Sequence, residues 1–361
     1  MDCYITATGS FLPGSPITNK EIPDYMGELD DEKTTRIKIL RMNGIRSRYY
    51  ALDKEQNPTY DLYQMGAKAV SDCLKSNARH EEITYLSAGS TNTPLTGPGL
   101  STILHDRINA DGKIQKPVEI NSNSGICSAS AQALVNAIRA IRSGEHTGAL
   151  SVGVEQPSEI LKSTVIRPPN DQSYYNDLKQ TKWFMSVFLR SMLSDGAGAM
   201  QLSSEANAKG LSFKVNWTYS RSFANQTSLC MQLDGKTRLL SQDVRILSKY
   251  MKPCVRQVIS ESFGKFSDNL GSYQYILPHL SSFFFKPYLT SVIKEFCIGS
   301  NVDYWTNLAN VGNTGAASIY IMLDHFSKTQ DINDGDKLLL FIPESGQFNF
   351  VLVSLTAKRN S

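Results

Sequence analysis

The sequence lacks several features that would each point to a particular class of protein. It has no uninterrupted apolar run of the roughly 20 residues that a membrane-spanning helix needs, so we expect no membrane span. Its 37 lysine and arginine residues nearly balance 34 aspartate and glutamate residues, and no segment concentrates positive charge. Nucleic acid is therefore not an expected partner.

Cysteines are few and widely spaced. The six lie at positions 3, 73, 127, 230, 254 and 297, with no C-x-x-C pair and none near a histidine at the spacing of zinc ligands. We therefore expect free thiols and no metal site. The first five residues lead directly into a strand pattern and not into a leader peptide. The sequence predicts a reduced, cytoplasmic protein.

Strand-like and helix-like segments alternate along the whole chain, which predicts a layered α/β fold. Residues 3–8 are typical of a first strand, and residues 30–40 are polar and typical of a helix. Near the end, residues 337–342 and 350–355 are expected to pair as a hairpin. Residues 156–192 interrupt the alternation, which favours a long loop that walls a pocket. A chain of 361 residues has room for two domains or for one large duplicated domain.

One short stretch concentrates the chemistry. Residues 121–131 read Asn-Ser-Asn-Ser-Gly-Ile-Cys-Ser-Ala-Ser-Ala, and apolar residues at helical spacing follow until Gly144, which is placed to end the helix. Cys127 is therefore predicted on a strand–turn–helix bend, where free N–H groups and the helix dipole would stabilise a thiolate. The residues alone leave two interpretations open, a catalytic nucleophile or a buried thiol beside a tight turn.

Two other polar residues occupy comparable places. His279 ends a strand-like segment, and Asn313 lies in a glycine-flanked turn before an apolar helix. Because catalytic groups gather at strand ends in α/β sheets, Cys127, His279 and Asn313 form a coherent set for acyl transfer. The thiolate would attack a thioester while the other two side chains donate hydrogen bonds to an oxyanion. A structural histidine and a turn-forming asparagine remain open alternatives.

Taken together, these residues and their flanks resemble the β-ketoacyl-acyl-carrier-protein synthase III group of condensing enzymes, and the resemblance covers nearly the whole chain. Besides the cysteine stretch and His279, four motifs match: Ile-Thr-Asn-Lys-Glu-Ile at 17–22, Asn-Gly-Ile-Arg-Ser-Arg at 43–48, Ser-Asp-Gly-Ala-Gly-Ala at 194–199 and Asn-Thr-Gly-Ala-Ala-Ser at 313–318. The resemblance implies a thiolase fold with five layers, α-β-α-β-α, built from two similar halves.

The resemblance also assigns positions and roles. The halves are expected at residues 1–205, with an insertion near 156–192, and at residues 206–361. By resemblance, Cys127 takes the acyl group, His279 and Asn313 assist the second half-reaction, and the backbone of Gly346 completes an oxyanion hole with that of Cys127. A homodimer is implied, with substrates carried on the phosphopantetheine of acyl carrier protein or on coenzyme A and no separate cofactor.

Departures from the family pattern bear on the substrate. The family usually shows His-Gln-Ala-Asn after the strand, whereas this chain has His-Leu-Ser-Ser at 279–282, and no tryptophan lies between residues 28 and 45 to stack on coenzyme A. These departures favour carrier-protein donors. They resemble the branch that joins two acyl-type thioesters and closes a ring, giving dialkylresorcinol and cyclohexanedione lipids. The alternatives are an initiating synthase that condenses acyl-CoA with malonyl-carrier protein, a thioester hydrolase or acyltransferase, and an inactive subunit.

Five further residues are predicted to bind substrate or a partner. Arg46 and Lys286 are candidates to meet the phosphopantetheine arm or the carrier protein, with a solvated surface position as the alternative. Phe184 and Phe283 are candidates for the acyl channel, with a core position as the alternative. Leu95 is expected, by resemblance only, to reach the pocket of a partner subunit.

Overall fold

The structure is a computed structural model that describes residues 1–29, 40, 43–75, 82–166, 182–297 and 302–360. The helix predicted over residues 30–40 lies outside the described residues, apart from Leu40. The same holds for residues 167–181 of the predicted insertion.

Strands and helices alternate in both halves of the chain. The strands are β1 (Tyr4–Phe11), β2 (Ile17–Thr18), β3 (Ser47–Arg48), β4 (Ile83–Ser90), β5 (Glu119–Ser124), β6 (Gly148–Glu155), β7 (Gly196–Ser203), β8 (Gly210–Ser222), β9 (Met231–Leu233), β10 (Leu240–Gln242), β11 (Tyr275–Pro278), β12 (Asp303–Tyr304), β13 (Lys337–Pro343) and β14 (Asn349–Asn360). The α-helices are α1 (Ile22–Met26), α2 (Leu62–Leu74), α3 (Leu100–Ala110), α4 (Ala129–Ser143), α5 (Ser158–Leu161), α6 (Lys182–Arg190), α7 (Val244–Phe266), α8 (Lys286–Phe296), α9 (Leu308–Val311) and α10 (Ser318–Thr329).

Ten of the strands form one continuous sheet made of two matching halves. The first half has the order β1-β7-β6-β4-β5 and the second has the order β8-β14-β13-β11-β12. In each half the first two pairings are antiparallel and the last two are parallel. The halves join where β1 pairs antiparallel with β8. The two parts of the chain therefore repeat one strand pattern.

Alternating side chains divide the described residues into three large apolar cores, beside a small cluster of Val311, Ala317 and Ile321. In β14, Leu352 faces one core and its neighbour Val353 faces another, as the two-residue period of a strand requires. Helices α2 and α3 cover the outer face of the first half of the sheet, and α7 and α8 cover the outer face of the second. Helices α4 and α10 share the middle core with strands of both halves. The order of layers is therefore α-β-α-β-α.

The middle layer is tightly packed because the strands beside it are rich in small residues. All eight residues of β7 are buried. A Cβ atom at Gly198 would lie 2.4 Å from Cβ of Tyr320 in α10, so only glycine allows this helix to approach the strand so closely. The sequence Gly-Ala-Gly-Ala at the start of β7 thus sets the spacing between sheet and helix.

These observations confirm the predicted α/β class and the layered thiolase architecture. The hairpin is confirmed as the β13–β14 pair, and the first strand is longer than predicted, ending at Phe11. Within residues 156–192, the expectation of a plain loop is wrong for the described part. That part forms α5 and α6, because α6 buries Met185, Val187 and Leu189. The division at residue 205 stays a prediction.

Candidate active site

Cys127 lies on the predicted bend. Strand β5 ends at Ser124, Ser128 is the residue that precedes the first turn of α4, and the helix ends at Gly144 in the left-handed region, with φ of 86°. The bend is packed against β4, where a Cβ atom at Gly89 would lie 2.5 Å from the backbone of Ala129. The nucleophile candidate is therefore held by backbone contacts on a rigid strand–turn–helix unit.

A large apolar cavity opens beside Cys127. Its volume is about 630 Å³, within the range typical of sites for small molecules. Apolar side chains form most of its wall, and they include Ile160 of α5, Leu189 of α6, Leu240 of β10, Leu247 of α7, Met192 after α6 and Phe285 before α8. Asn313 lines the same cavity. The site can therefore hold a long apolar group next to the thiol.

His279 lines a second, smaller cavity of about 60 Å³, which Cys127 also lines. Its backbone N–H donates to the carbonyl of Phe341 at 2.8 Å. The side chain is buried, and among the described residues neither ring nitrogen has a hydrogen-bond partner. Burial lowers the pKa of His279 to about 4. The imidazole is therefore neutral near pH 7, with one N–H ready to donate to a ligand.

Asn313 is fixed by its own turn. Its N–H donates to the carbonyl of Met192 at 3.1 Å, and its carbonyl accepts from the N–H of Ser194 at 2.9 Å. The side-chain oxygen accepts from the N–H of Gly315 at 3.0 Å, which leaves the amide NH₂ as the donor for a ligand in the cavity. Cys127 thus lines one cavity with Asn313 and a second cavity with His279, and the catalytic roles of the three residues stay predictions.

The N–H groups beside Cys127 are taken by a carboxylate that the sequence did not bring to attention. Oε2 of Glu344 accepts from the N–H of Ile126 at 3.3 Å, from the N–H of Ser128 at 3.0 Å and from the Ser128 hydroxyl at 2.5 Å. The helix terminus therefore already holds a carboxylate, as such termini readily do. The N–H groups of Ile126 and Ser128 are not free to stabilise a thiolate, whereas the N–H of Cys127 itself lowers the pKa of the thiol.

A second buried carboxylate lies on the other side of the thiol. Oε1 of Glu155, at the end of β6, accepts from the N–H and the hydroxyl of Thr91 at 2.7 and 2.6 Å. It also accepts from the N–H of Ala316 at 3.4 Å. Glu155 lines the large cavity together with Cys127 and Asn313. It therefore bridges the loop after β4 and the turn that carries Asn313.

These surroundings make the resting cysteine a neutral thiol. Burial raises the pKa of Cys127 far above its usual range, and the negative charges of Glu344 and Glu155 raise it further. The prediction of a thiolate stabilised by the helix is therefore wrong for the resting protein. A proton must leave the sulfur before it can attack a carbonyl.

Gly346 lies against the nucleophile turn. Its carbonyl accepts from the N–H groups of Cys230 and Met231 at 2.8 and 3.1 Å. A Cβ atom at this position would lie 2.7 Å from Oε1 of Glu344 and 3.1 Å from Cγ1 of Ile126, so a larger residue would have to displace these two side chains. Its contribution to an oxyanion hole stays a prediction.

Five residues were predicted to contact substrate or a partner. Four of them do not line the large cavity, and the side chain of the fifth, Phe184, is not described. Among the described side chains that line the large cavity, none belongs to Arg46, Leu95, Phe283 or Lys286. Arg46 donates to Oδ1 of Asn310 at 2.9 Å, Leu95 and Lys286 are exposed, and the Phe283 ring packs on Gly44. The backbone of Phe184 belongs to α6, and its side chain is not described.

Other residues that the sequence did not indicate do line the cavity, among them Asn43, Thr91 and Gln242. Asn43 belongs to the matched motif at 43–48, so the sequence did single out this segment. It did not predict that the Asn43 side chain lines the cavity. Thr91 directly follows β4 and Glu155 is the last residue of β6, and both are strand-end positions of the kind that identified His279.

No group of three or more histidine, cysteine, aspartate or glutamate side chains is arranged to hold a metal ion within the described part of the chain. No helix there is long and apolar enough to cross a membrane. All six cysteines are free thiols.

Comparison with known proteins relates this chain to condensing enzymes. The family described as "3-Oxoacyl-[acyl-carrier-protein (ACP)] synthase III C terminal" matches residues 281–343. A β-ketoacyl-[acyl-carrier-protein] synthase III of Acholeplasma laidlawii is 25% identical over 325 residues, covering 89% of this chain and 88% of that protein.

Solved structures agree over almost the full length. OleA from Xanthomonas campestris matches with a TM-score of 0.76 and 17% identity, covering 99% of this chain and 98% of that one. A 3-oxoacyl-(acyl carrier protein) synthase III from Pseudomonas aeruginosa matches with a TM-score of 0.74 and 17% identity, covering all of both chains. The comparisons confirm the predicted resemblance and the fold.

Proposed function

We propose, from the confirmed resemblance to β-ketoacyl synthase III-like condensing enzymes, that this chain loads an acyl group on Cys127 and joins it to a carbon of a second thioester. One observation carries the proposal: Cys127 lies where a large apolar cavity meets the small cavity of His279, with Asn313 on the wall of the large one. A buried nucleophile, two neutral hydrogen-bond donors and room for an apolar chain are the parts that acyl transfer needs.

The first half-reaction is transfer of the acyl group to sulfur. The thiol loses its proton, the sulfur attacks the thioester carbonyl, and the carrier thiol leaves. The developing oxyanion would be met by the backbone N–H groups of Cys127 and Gly346, and such preorganised donors are commonly worth 10²–10³ in rate. The position of Gly346 against the nucleophile turn supports this assignment.

The second half-reaction forms the carbon–carbon bond. The second thioester would react as an enolate whose oxygen accepts from the amide NH₂ of Asn313 and from a ring N–H of His279. Because burial keeps His279 neutral, this side chain donates a hydrogen bond without bringing a positive charge. The enolate carbon attacks the acyl group and the bond from the acyl carbon to the Cys127 sulfur breaks. The proton that the second thioester lost from its α-carbon ends on this sulfur, which restores the thiol.

We further propose that the second substrate is an uncharged β-ketoacyl thioester and that the product cyclises to a dialkylresorcinol or cyclohexanedione-type lipid. The carboxylates of Glu155 and Glu344 beside Cys127 support an uncharged substrate, since the anionic carboxylate of a malonyl thioester would be repelled there. The apolar cavity supports a long acyl chain. A malonyl-using initiating synthase and a thioester hydrolase are the competing functions.

Acyl carrier protein or coenzyme A would deliver both substrates. Lys252 is exposed and lines the large cavity, so it is placed to meet a phosphate on the carrier arm.

A homodimer is proposed through strand β5, which lies at an edge of the ten-stranded sheet and has Ile120 42% exposed. An unpaired strand edge invites pairing with a second chain. Sedimentation equilibrium with Ile120→Lys tests it: the dimer should weaken, and an unchanged mass would exclude this edge.

Mass spectrometry of the intact protein tests the loading step. After incubation with dodecanoyl-CoA or a dodecanoyl carrier protein, we expect one acyl adduct that is lost in Cys127→Ala and kept in Cys254→Ala. An adduct that persists in Cys127→Ala would remove Cys127 from its role. Paired dodecanoyl and 3-oxoacyl thioesters should then give a cyclic product, whereas release of free acid alone would identify a hydrolase.

A further inference from the structure

The two carboxylates beside Cys127 occupy corresponding places in the two halves of the fold. Glu155 is the last residue of β6, and Glu344 directly follows β13. Strands β6 and β13 hold the same position in the strand order of their halves. Each carboxylate accepts from N–H groups at the start of the other half's middle-layer segment, Glu155 near α10 and Glu344 near α4.

Their remaining contacts differ. Oε2 of Glu344 accepts from two N–H groups and the Ser128 hydroxyl, and Glu344 is absent from the described lining of the large cavity. Glu155 is bound through Oε1 by Thr91 and Ala316, and it does line that cavity beside Cys127. Thr91 also ties Glu155 to the nucleophile turn, since its Oγ1 lies 3.3 Å from the carbonyl oxygen of Ile126. Glu344 thus anchors the nucleophile turn, whereas Glu155 lines the large cavity with Cys127 and Asn313.

The burial of Glu155 favours proton exchange near neutral pH. Burial raises the pKa of Glu155 to about 7, against the hydrogen bonds from Thr91 and Ala316 that lower it, and the charge of Asp195 adds to the rise. Lys252 is the other charged side chain among the described residues that line the cavity, and it is exposed. His279, with its pKa lowered to about 4, is a much weaker base.

We propose that Glu155 is the base that takes the proton of the Cys127 thiol in the first half-reaction. The S–H bond breaks, the proton moves to the Glu155 carboxylate, and the sulfur electron pair forms the bond to the thioester carbonyl carbon. When the tetrahedral intermediate collapses, the carbon–sulfur bond to the carrier breaks and the leaving thiolate takes the proton from Glu155. The carboxylate is restored and no other reactant is needed. This assignment rests on the proposed acyl loading of Cys127.

Alkylation of Cys127 by iodoacetamide, followed by peptide mass spectrometry from pH 5.5 to 10, tests the proton transfer without any thioester. In the unmodified protein we expect the rate to rise through an inflection near pH 7 and then level off, because it follows deprotonation of Glu155. In Glu155→Gln the inflection should vanish, the rate at pH 7 should fall about 10²-fold, and it should then rise tenfold per pH unit. Gln keeps an acceptor oxygen for Thr91, which favours retention of the fold.

Glu344→Gln is the matched control, because both carboxylates are buried and both raise the pKa of Cys127. Loss of the Glu344 charge should make alkylation faster and leave the inflection near pH 7. If Glu155 acted only as a neighbouring charge, Glu155→Gln would also react faster at every pH, and that result would overturn the assignment. Glu159→Gln, at a partly exposed residue paired with Lys162, should match the unmodified protein.

Two further measurements distinguish a failure of the role of Glu155 from a failure of the proposed acyl loading of Cys127. Glu155→Asp, which retains a carboxylate, should keep an inflection in the neutral range, and its complete loss there would count against a base at this position. The rate of acyl-adduct formation with dodecanoyl-CoA should rank the variants in the same order as the rate of alkylation does. A protein that alkylates as expected yet forms no adduct would overturn the proposed function, whereas equal adduct rates in Glu155→Gln and the unmodified protein would overturn the role of Glu155 alone.

Discussion

Cys127 lies two residues before α4, yet its proton is held more tightly than that of a free thiol. The reason is local: Glu344 takes the N–H groups of Ile126 and Ser128, and burial excludes water. A buried thiol beside two carboxylates is inert until a substrate and a base are both in place. At the scale of the residue, we therefore expect the reactivity of Cys127 to depend on removal of this proton.

Asn313→Ala separates the two half-reactions. The change removes the NH₂ donor proposed for the enolate but leaves Cys127 and Gly346 in place, so acyl-adduct formation should stay within about twofold of the unmodified protein. Condensation should fall about 10²-fold, as when one oxyanion donor is lost elsewhere. Rapid-quench measurement of the adduct and of the condensed product checks both. Equal loss of the two steps would contradict the assignment.

His279→Gln is expected to change the acid stability of the fold. The unfolded chain binds a proton at this histidine near pH 6.5, whereas the folded chain does so only near pH 4. The free energy of unfolding therefore falls as pH drops through this interval, by about 3 kcal/mol in total for this residue.

Urea unfolding at pH 7 and at pH 4 measures this difference. The unmodified protein should lose more stability between the two pH values than His279→Gln does, because glutamine does not titrate. A fall of equal size in both proteins would mean that His279 is already protonated, or is exposed, in the folded state.

At the scale of elements, the bend that carries Cys127 depends on Gly89 in β4. An alanine there would place Cβ 2.5 Å from the backbone of Ala129 and Ser130, and backbone cannot move aside as the end of a side chain can. Gly89→Ala should destabilise the protein by about 1–3 kcal/mol and displace the nucleophile.

Gly235→Ala is the matched control, because a Cβ atom at Gly235 has no heavy atom within 4 Å. Its free energy of unfolding should change by no more than about 0.5 kcal/mol. Thermal unfolding and the rate of Cys127 alkylation are measured for both Gly89→Ala and Gly235→Ala. Equal stability of the two variants would show that β4 and α4 can separate without cost.

Local patterns predicted the elements well, and long-range contacts explain what they missed. The bend at Cys127, the end of α4 at Gly144 and the β13–β14 hairpin each depend on neighbouring residues and were predictable. The bond from Ser128 to Glu344 joins residues 216 positions apart, and the bond from Ala316 to Glu155 joins residues 161 apart. No local pattern encodes such pairs, so a free helix terminus was expected where an occupied one exists.

At the scale of the whole molecule, the two halves share one interior. Tyr320 of α10 donates to the carbonyl of Ser130 at 2.7 Å, and Thr8 and Ser10 of β1 donate to Asp324 of α10 at 2.9 and 2.6 Å. The middle core combines side chains of both halves. Neither half can therefore bury its apolar surface without the other.

Calorimetry should consequently show one cooperative unfolding transition for the whole chain. A fragment of residues 1–205 should be insoluble, or should bind a dye for exposed apolar surface, because α10 no longer covers β1 and β7. Two separate transitions, or a fragment with a cooperative transition of its own, would show that the halves are independent domains.

The exchange of carboxylates between the halves has a consequence for how such a protein changes over generations. Glu155 in the first half accepts from the N–H of Ala316 just before α10, and Glu344 in the second half accepts from the N–H of Ser128 just before α4. The two strands that carry these carboxylates hold the same position in their halves, so the same arrangement occurs twice. Glu344 holds the nucleophile turn without help from Glu155, so a substitution at Glu155 leaves this anchor in place. One of the two carboxylates can therefore change while the other keeps the turn in position.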